Sequence, residues 1–311
     1  MESFLNSVQS VAVILLLTAT GYLCAYAGWL TEEGKRFLNK FVITVAMPCT
    51  CVYGFTANLS RDMISQAHVL LLISLVCIAL SYGLAILVGR LLRIPRKRFG
   101  VFVMMCAVSN SIFIGYAMCL ELFGDICTPY VMEFYMVNTV YTQVVGLAFI
   151  RWSGEAEPLS PKMALKILRS PPIIGIFLGY LLVLCELSLP GLVNSYCRYM
   201  NQIVSPLALL LTGRIIYETG LKNLRLERDI VLVLLFRFLI TPLMFYAACT
   251  WFRIPALARS VLVIEAAMPV VTLSVVAASE YGADERFAAR GAAISTLASF
   301  VVIPVLMIFL Q

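Results

Sequence analysis

Three features of this sequence predict an all-α membrane protein that crosses the bilayer many times. Hydrophobic residues make up 61% of the chain and charged residues 13%, whereas a soluble domain carries about 25% charged residues. The mean hydropathy of +0.95 is too apolar for a surface that must face water. Length is the third feature: a spanning helix needs about 20 apolar residues, and at about 30 residues per helix with its connection the 311 residues give roughly ten spans.

The apolar runs place these spans near 4–27, 37–59, 67–92, 99–123, 128–151, 171–189, 192–217, 229–252, 257–280 and 286–310. The first run follows no basic segment and lacks a small-residue cleavage site, so it reads as a span and not a signal peptide. The long connection is 151–170. It holds Pro158, Pro161 and the basic, apolar run Lys162 to Arg169, which suits a surface helix or a solvated linker equally. The 10 cysteines show no zinc or disulfide spacing, and the Cys49, Cys51 pair inside an apolar run reads as small buried hydrophobes.

The net charge of +6 is a topology signal and not a sign of nucleic acid, because the basic residues cluster in short loops. Of the 23 Lys and Arg, 18 lie in or beside the connections after the odd-numbered spans and 4 on the opposite side; Arg237 lies within a span. The basic side is expected in the cytoplasm, with both termini outside, in a bacterial inner (plasma) membrane.

The chain repeats itself. Gly21-Tyr22-Leu23 recurs as Gly179-Tyr180-Leu181, Pro48 as Pro206 and Gly124 as Gly282, all at an offset of 158. Arg93-Ile94-Pro95 recurs as Arg253-Ile254-Pro255 at 160. The series divides the chain into a first five-helix repeat over 1–151, a cytoplasmic linker over 152–170 and a second repeat over 171–311. An odd number of helices forces the second copy to be inverted, an arrangement typical of secondary transporters.

Two spans carry helix-breaking residues at matching places. The fourth holds Ser109-Asn110-Ser111 followed by Gly115, and the ninth holds Met268-Pro269 followed by Thr272 and Ser274. At 1.5 Å per residue Asn110 lies about 18 Å in from Arg98 and Pro269 about 15 Å in from Arg259, both near the middle of a core about 30 Å thick. Breaks at that depth survive where they are buried in protein or line a wet cavity. Their half-helix N-termini carry positive dipole ends toward a bound anion. Ser109, Asn110, Ser111, Met268, Pro269 and Thr272 are therefore candidate substrate contacts. Asn138, with Thr142 one turn on, is a further candidate near the same depth, equally suited to a helix–helix hydrogen bond.

Three ionisable residues lie inside spans. Arg237, about 12 Å from the cytoplasmic end, is a substrate-site candidate that also suits snorkelling or a structural pair. Glu265, about 9 Å from the outer end and one turn before Pro269, needs a cation, a proton or a partner. With Ser109 and Asn110 it forms a candidate site for sodium or a proton as coupling ion; no other cofactor is expected. Glu133, about 7 Å from the outer end, reads as interfacial. So does His68.

These segments resemble the auxin efflux carrier family, in particular its short prokaryotic members. The resemblance rests on FVITVAMPCTCVYGF at 41–55, SNSIFIGYAMCLELFG at 109–124, SPPIIGIFLGYLL at 170–182, SPLALLLTG at 205–213 and AAMPVVTLSVVAASEYGAD at 266–284. The family includes PIN-type auxin carriers and malonate/malate-type permeases. The resemblance implies ten helices in two inverted five-helix repeats, a scaffold and a transport domain, and crossed, broken fourth and ninth helices around an organic-anion site. The wider architecture is similar to bile-acid symporters and sodium/proton antiporters. Two departures stand out. Ile112 and Ala117 occupy places where the family often has Gly and Pro, and the large central loop of the plant carriers is absent.

The expected function is a carrier for small carboxylates working by alternating access, in the lipid bilayer, with a homodimer as a candidate assembly. A sodium/proton exchanger and a membrane sensor without transport are the alternatives. An enzyme is not expected: one histidine and few intramembrane carboxylates leave no H-E-x-x-H or Ser-His constellation. No phosphate-binding loop points to ATP drive.

Overall fold

The computed structural model describes residues 2–58, 61–156, 169–220 and 225–310. The basic, apolar run that suits a surface helix or a solvated linker equally lies outside them over 162–168. Among the described residues the chain is helical, with no strand beyond one isolated bridge. In chain order the helices are α1 (Glu2–Tyr26), α2 (Glu32–Asn58), α3 (Arg61–Leu91), α4 (Arg96–Ala107), α5 (Ser111–Phe123) and α6 (128–153). They continue as α7 (Pro171–Leu184), α8 (Gly191–Thr219), α9 (Arg228–Trp251), α10 (Ala256–Ala266), α11 (Leu273–Glu280) and α12 (Glu285–Leu310). Glu32–Asn58, Ala67–Leu91, Arg228–Trp251 and Glu285–Leu310 are long and apolar enough to cross a membrane, with shorter apolar helices at Ala12–Tyr26, Ser111–Phe123 and Pro171–Leu184. Lipid-facing side chains such as Leu16, Leu80, Phe177 and Phe309 are exposed and apolar. Inside a bilayer that exposure carries no hydrophobic cost.

Helix starts and stops follow local chemistry. Thr31 caps α2 by accepting the Gly34 N–H at 3.2 Å. Pro95 and Pro255 stand just before α4 and α10, where a missing N–H costs nothing. Widened π-helical turns at Val42–Ala46 and Phe236–Ile240 end just before Pro48 and Pro242. A proline cannot donate into the preceding turn, and the wider turn accommodates the lost bond.

The residues that repeat in sequence repeat in backbone. Arg93 and Arg253 both take left-handed conformations, with φ of 53° and 52°, and Gly124 and Gly282 do so with 71° and 73°. Ile94 donates to Gly89 O and Ile254 to Cys249 O, closing the same turn before each proline.

Packing groups the helices differently from chain order. α1, α2, α7 and α8 form one bundle, and α3, α4, α6, α9, α10, α11 and α12 form another, with α5 between them. Small residues let backbones touch inside the first bundle: a Cβ on Gly21 would collide with Leu210 O, and one on Gly213 with Thr18 O. The basic connections close one end of the second bundle. There Arg98 bonds Glu227 at 2.9 Å, Asp229 at 3.0 Å and Asp284 at 2.9 Å, while Arg290 joins the same Glu227.

Candidate functional site

The two interrupted helices meet in the middle of the second bundle. α4 ends at Ala107 and α5 begins at Ser111; Val108 is extended, at φ −116° and ψ 152°. α10 ends at Ala266 and α11 begins at Leu273. The two unwound segments pair as a short antiparallel bridge, Ser109 opposite Val270, and Asn110 N–H donates to Pro269 O at 2.9 Å. Four helix ends therefore converge on one point: the C-termini of α4 and α10 and the N-termini of α5 and α11.

Side chains from neighbouring helices hold the unwound backbone. Asn138 of α6 mimics a strand: its Oδ1 accepts from Ser109 N–H at 3.1 Å, and its Nδ2 donates to Ser109 O at 2.9 Å and to Ser111 Oγ at 3.2 Å. This explains how the first break forms without a proline. Ser295 of α12 does the matching service on the other segment, accepting from Val270 N–H at 3.1 Å. Its offset from Asn138 is 157, close to the repeat spacing, which is the sequence signal that could have found it.

Arg237 sits in the widened turn of α9, 1% exposed. Its Nε donates to Met268 O at 3.0 Å, and its Nη2 to Met268 O at 2.8 Å and Ala266 O at 2.5 Å. Nη1 faces Cys106 O at 3.5 Å. One guanidinium thus covers the carbonyl ends of both α4 and α10. It does not snorkel, and among the described residues it forms no ion pair with Glu265.

The candidate substrate residues come together around this crossing. Ser109, Asn110, Ser111, Asn138, Met268 and Pro269 are buried and Thr272 is partly exposed. Asn110 Nδ2 donates to Thr272 Oγ1 at 3.3 Å, while the buried Ser109 and Thr142 hydroxyls lack partners. The coupling-ion candidates divide. Ser109 and Asn110 lie at the crossing, but the Glu265 carboxylate points at α5 beside Gly115 and Cys119, where Cys119 Sγ donates to Oε1 at 3.6 Å and Oε2 has no partner. A Cβ on Gly115 would stand 2.5 Å from Oε2. Among the described residues no cluster of three His, Cys, Asp or Glu could hold a metal ion.

Glu133 corrects an expectation. It is 2% exposed and accepts a close hydrogen bond from Tyr180 of α7. The position of a residue along its helix does not give the direction of its side chain around the axis. His68 is exposed.

Among the described residues, an apolar crevice of about 540 Å³ lies elsewhere, among α9, α10 and α12, lined by Phe238, Leu243, Tyr246, Val263 and Leu306 among others.

Apolar helices packed around a buried polar crossing define an integral membrane protein with a specialised centre. Residues 6–307 match the membrane transport protein family, and the chain belongs to it; this is the auxin efflux carrier family. The chain is similar to an uncharacterized transporter of Methanocaldococcus jannaschii, 25% identical over 299 residues that cover 94% of this chain and 95% of the relative. It is similar also to an uncharacterized transporter of Methanothermobacter thermautotrophicus, 28% identical over 304 residues and 97% of each chain. A shorter likeness, 25% over 91 residues, reaches 15% of protein ECM3 of Saccharomyces cerevisiae.

Proposed function

We propose that this transporter carries a small carboxylate by alternating access, through ten crossings arranged as two inverted repeats. The observation that carries the reading is the charge balance at the crossing. Helix ends bear roughly half a charge, negative at C-termini and positive at N-termini. Arg237 lies on the two carbonyl ends and offsets them. The N-termini of α5 and α11 then leave a field of roughly one positive charge, which suits a monoanion once Glu265 is neutral. Asn110, Thr272 and the unpartnered Ser109 hydroxyl supply hydrogen bonds beside it. Glu265, buried with one free oxygen, is the group that takes the coupling ion, a proton or sodium. The matched turns at Arg93 and Arg253 support the repeat.

The protein belongs, on this reading, in a bacterial plasma membrane with both termini outside. Uptake into proteoliposomes of a panel of mono- and dicarboxylates, with imposed proton and sodium gradients, tests the function. Wild type is expected to accumulate at least one carboxylate, and Asn110→Ala to bind it more weakly while remaining folded. No uptake of any carboxylate under any gradient refutes the reading.

A further inference from the structure

The bonds that cross from one bundle to the other gather over residues 116–133. Tyr116 of α5 donates to Asn201 Oδ1 of α8 at 2.6 Å, and Asn201 Nδ2 reaches Asp125 at 3.5 Å. Cys51 of α2 lies with its Sγ 3.5 Å from Met132 Sδ of α6. Gly54 of α2 abuts Thr128, where any Cβ would strike the threonine methyl. Beside these contacts Tyr180 of α7 donates to Glu133 Oε1.

Glu133 is the odd member of this joint. Its Oε2 is buried and has no partner. Tyr180 from α7 is the titratable group bonded to it, and Tyr130 precedes it by one turn on α6. Among the described residues Glu133 forms no ion pair. From α2 comes Cys51, held at Met132. α10 carries Glu265, turned to Cys119, and α5 carries Tyr116, bonded to Asn201. α3 carries an exposed His68, and its Cys77 faces α9. Asp125 is engaged by Asn201.

An ionised carboxylate stripped of water, with one donor and no paired cation, is strongly disfavoured. A neutral carboxyl in the same place leaves only one unsatisfied hydroxyl, a smaller cost. The closed joint therefore holds Glu133 as the acid. Separation of the bundles lets water reach it and lets it ionise.

We propose that Glu133 is a proton site at the joint between the two bundles, loaded as the joint closes and emptied as it opens. One proton passes from water to Oε2 on closing, and the same proton returns to water on opening. Tyr180 keeps its own proton throughout and serves as the donor that positions Oε1. The proposal rests on the alternating-access reading, since it needs the bundles to part.

The native thiol of Cys51 reports on the joint, being fully buried against Met132. The test uses full-length protein in liposomes, retaining Cys51 and lacking the other cysteines, without substrate. Labelling of Cys51 by a maleimide is timed at about pH 6 and about pH 8, where one coupled proton shifts the open-to-closed ratio by up to about tenfold per pH unit. Glu133→Gln in the same background corrects for the reagent's own pH dependence. Wild type is expected to gain on the order of tenfold in labelling over Glu133→Gln as pH rises. Tyr180→Phe keeps the carboxyl but loses the positioning bond, so it should label faster at both pH values. An identical pH response in wild type and Glu133→Gln overturns the proton site, as does labelling in Tyr180→Phe that matches wild type throughout. Absence of carboxylate uptake would count against the transport reading without altering this readout.

Discussion

Replacing Arg237 separates a residue that holds the crossing from one that handles substrate. Two carbonyls, of Ala266 and Met268, lie within 3.0 Å of its nitrogens. Hydrogen bonds to a charged group contribute about 1.5–3 kcal/mol each, so losing both forfeits about 3–6 kcal/mol. Burying a guanidinium without a carboxylate is itself costly, and removing it returns part of that cost. The expected net loss for Arg237→Met is about 2–4 kcal/mol, with Cys106, Ala266 and Met268 left without their donor. At roughly 2 °C per kcal/mol for a chain of this size, Tm in detergent should fall by about 4–8 °C. Arg237→Lys keeps the charge but loses the planar fork, so it should fall between wild type and Arg237→Gln. Transport should follow the same order. Thermal unfolding followed by intrinsic fluorescence reads the first quantity and proteoliposome uptake the second. An unchanged Tm in Arg237→Met, with transport abolished, would refute the reasoning, because the guanidinium would then act on substrate and not on helix ends.

Other perturbations read other parts of the molecule. Asn138→Ala strands the N–H and C=O of Ser109 in a buried place, at about 1–3 kcal/mol each, and should lower Tm by several degrees at roughly 2 °C per kcal/mol. Gly115→Ala puts a methyl against the Glu265 carboxylate; overpacking of this kind costs about 1–3 kcal/mol, and the pH or sodium dependence of substrate binding should change more than the affinity at saturating cation. At the basic end, burial alone would raise the Glu218 carboxyl, but hydrogen bonds from Lys35 and Arg214 and their charges hold it below its ordinary value of 4.5. A depressed carboxyl stabilises the fold above its unfolded pKa, and that contribution fades as pH falls through the folded value. Unfolding of wild type in acid, below about pH 4.5, should therefore be steeper than that of Glu218→Gln. Finally, Ser160→Cys in a cysteine-depleted chain should resist an impermeant thiol reagent in intact cells; labelling from outside would reverse the proposed topology.

The helical class and the helix positions could be read from the sequence because lipid imposes a one-dimensional rule on span length. The apolar run at 229–252 became α9 and the run at 286–310 became α12 within a residue at each end. The breaks could be read too, since Asn110 and Pro269 are poor continuations of an apolar helix. What joins across space could not. Nothing in the run around Phe236-Arg237-Phe238 says that the guanidinium reaches carbonyls of two other helices. Asn138 was readable by depth as a substrate contact or a helix–helix bond, and its amide proves to be engaged by Ser109 and Ser111. Glu133 could be placed along its helix but not around it. Azimuth and partner are set by packing, which the linear pattern does not encode.

The clasp of Arg237 has a mechanical corollary. One rigid cation touching the tail of α10 and facing that of α4, together with the Ser109–Val270 bridge, makes the crossing a single casting and not two independent pivots. Neither broken helix can rewind or swing alone without tearing bonds that belong to the other. Movement of either break must then be movement of the whole block, with any compliance in the chain segments leading into that block and not in the crossing itself.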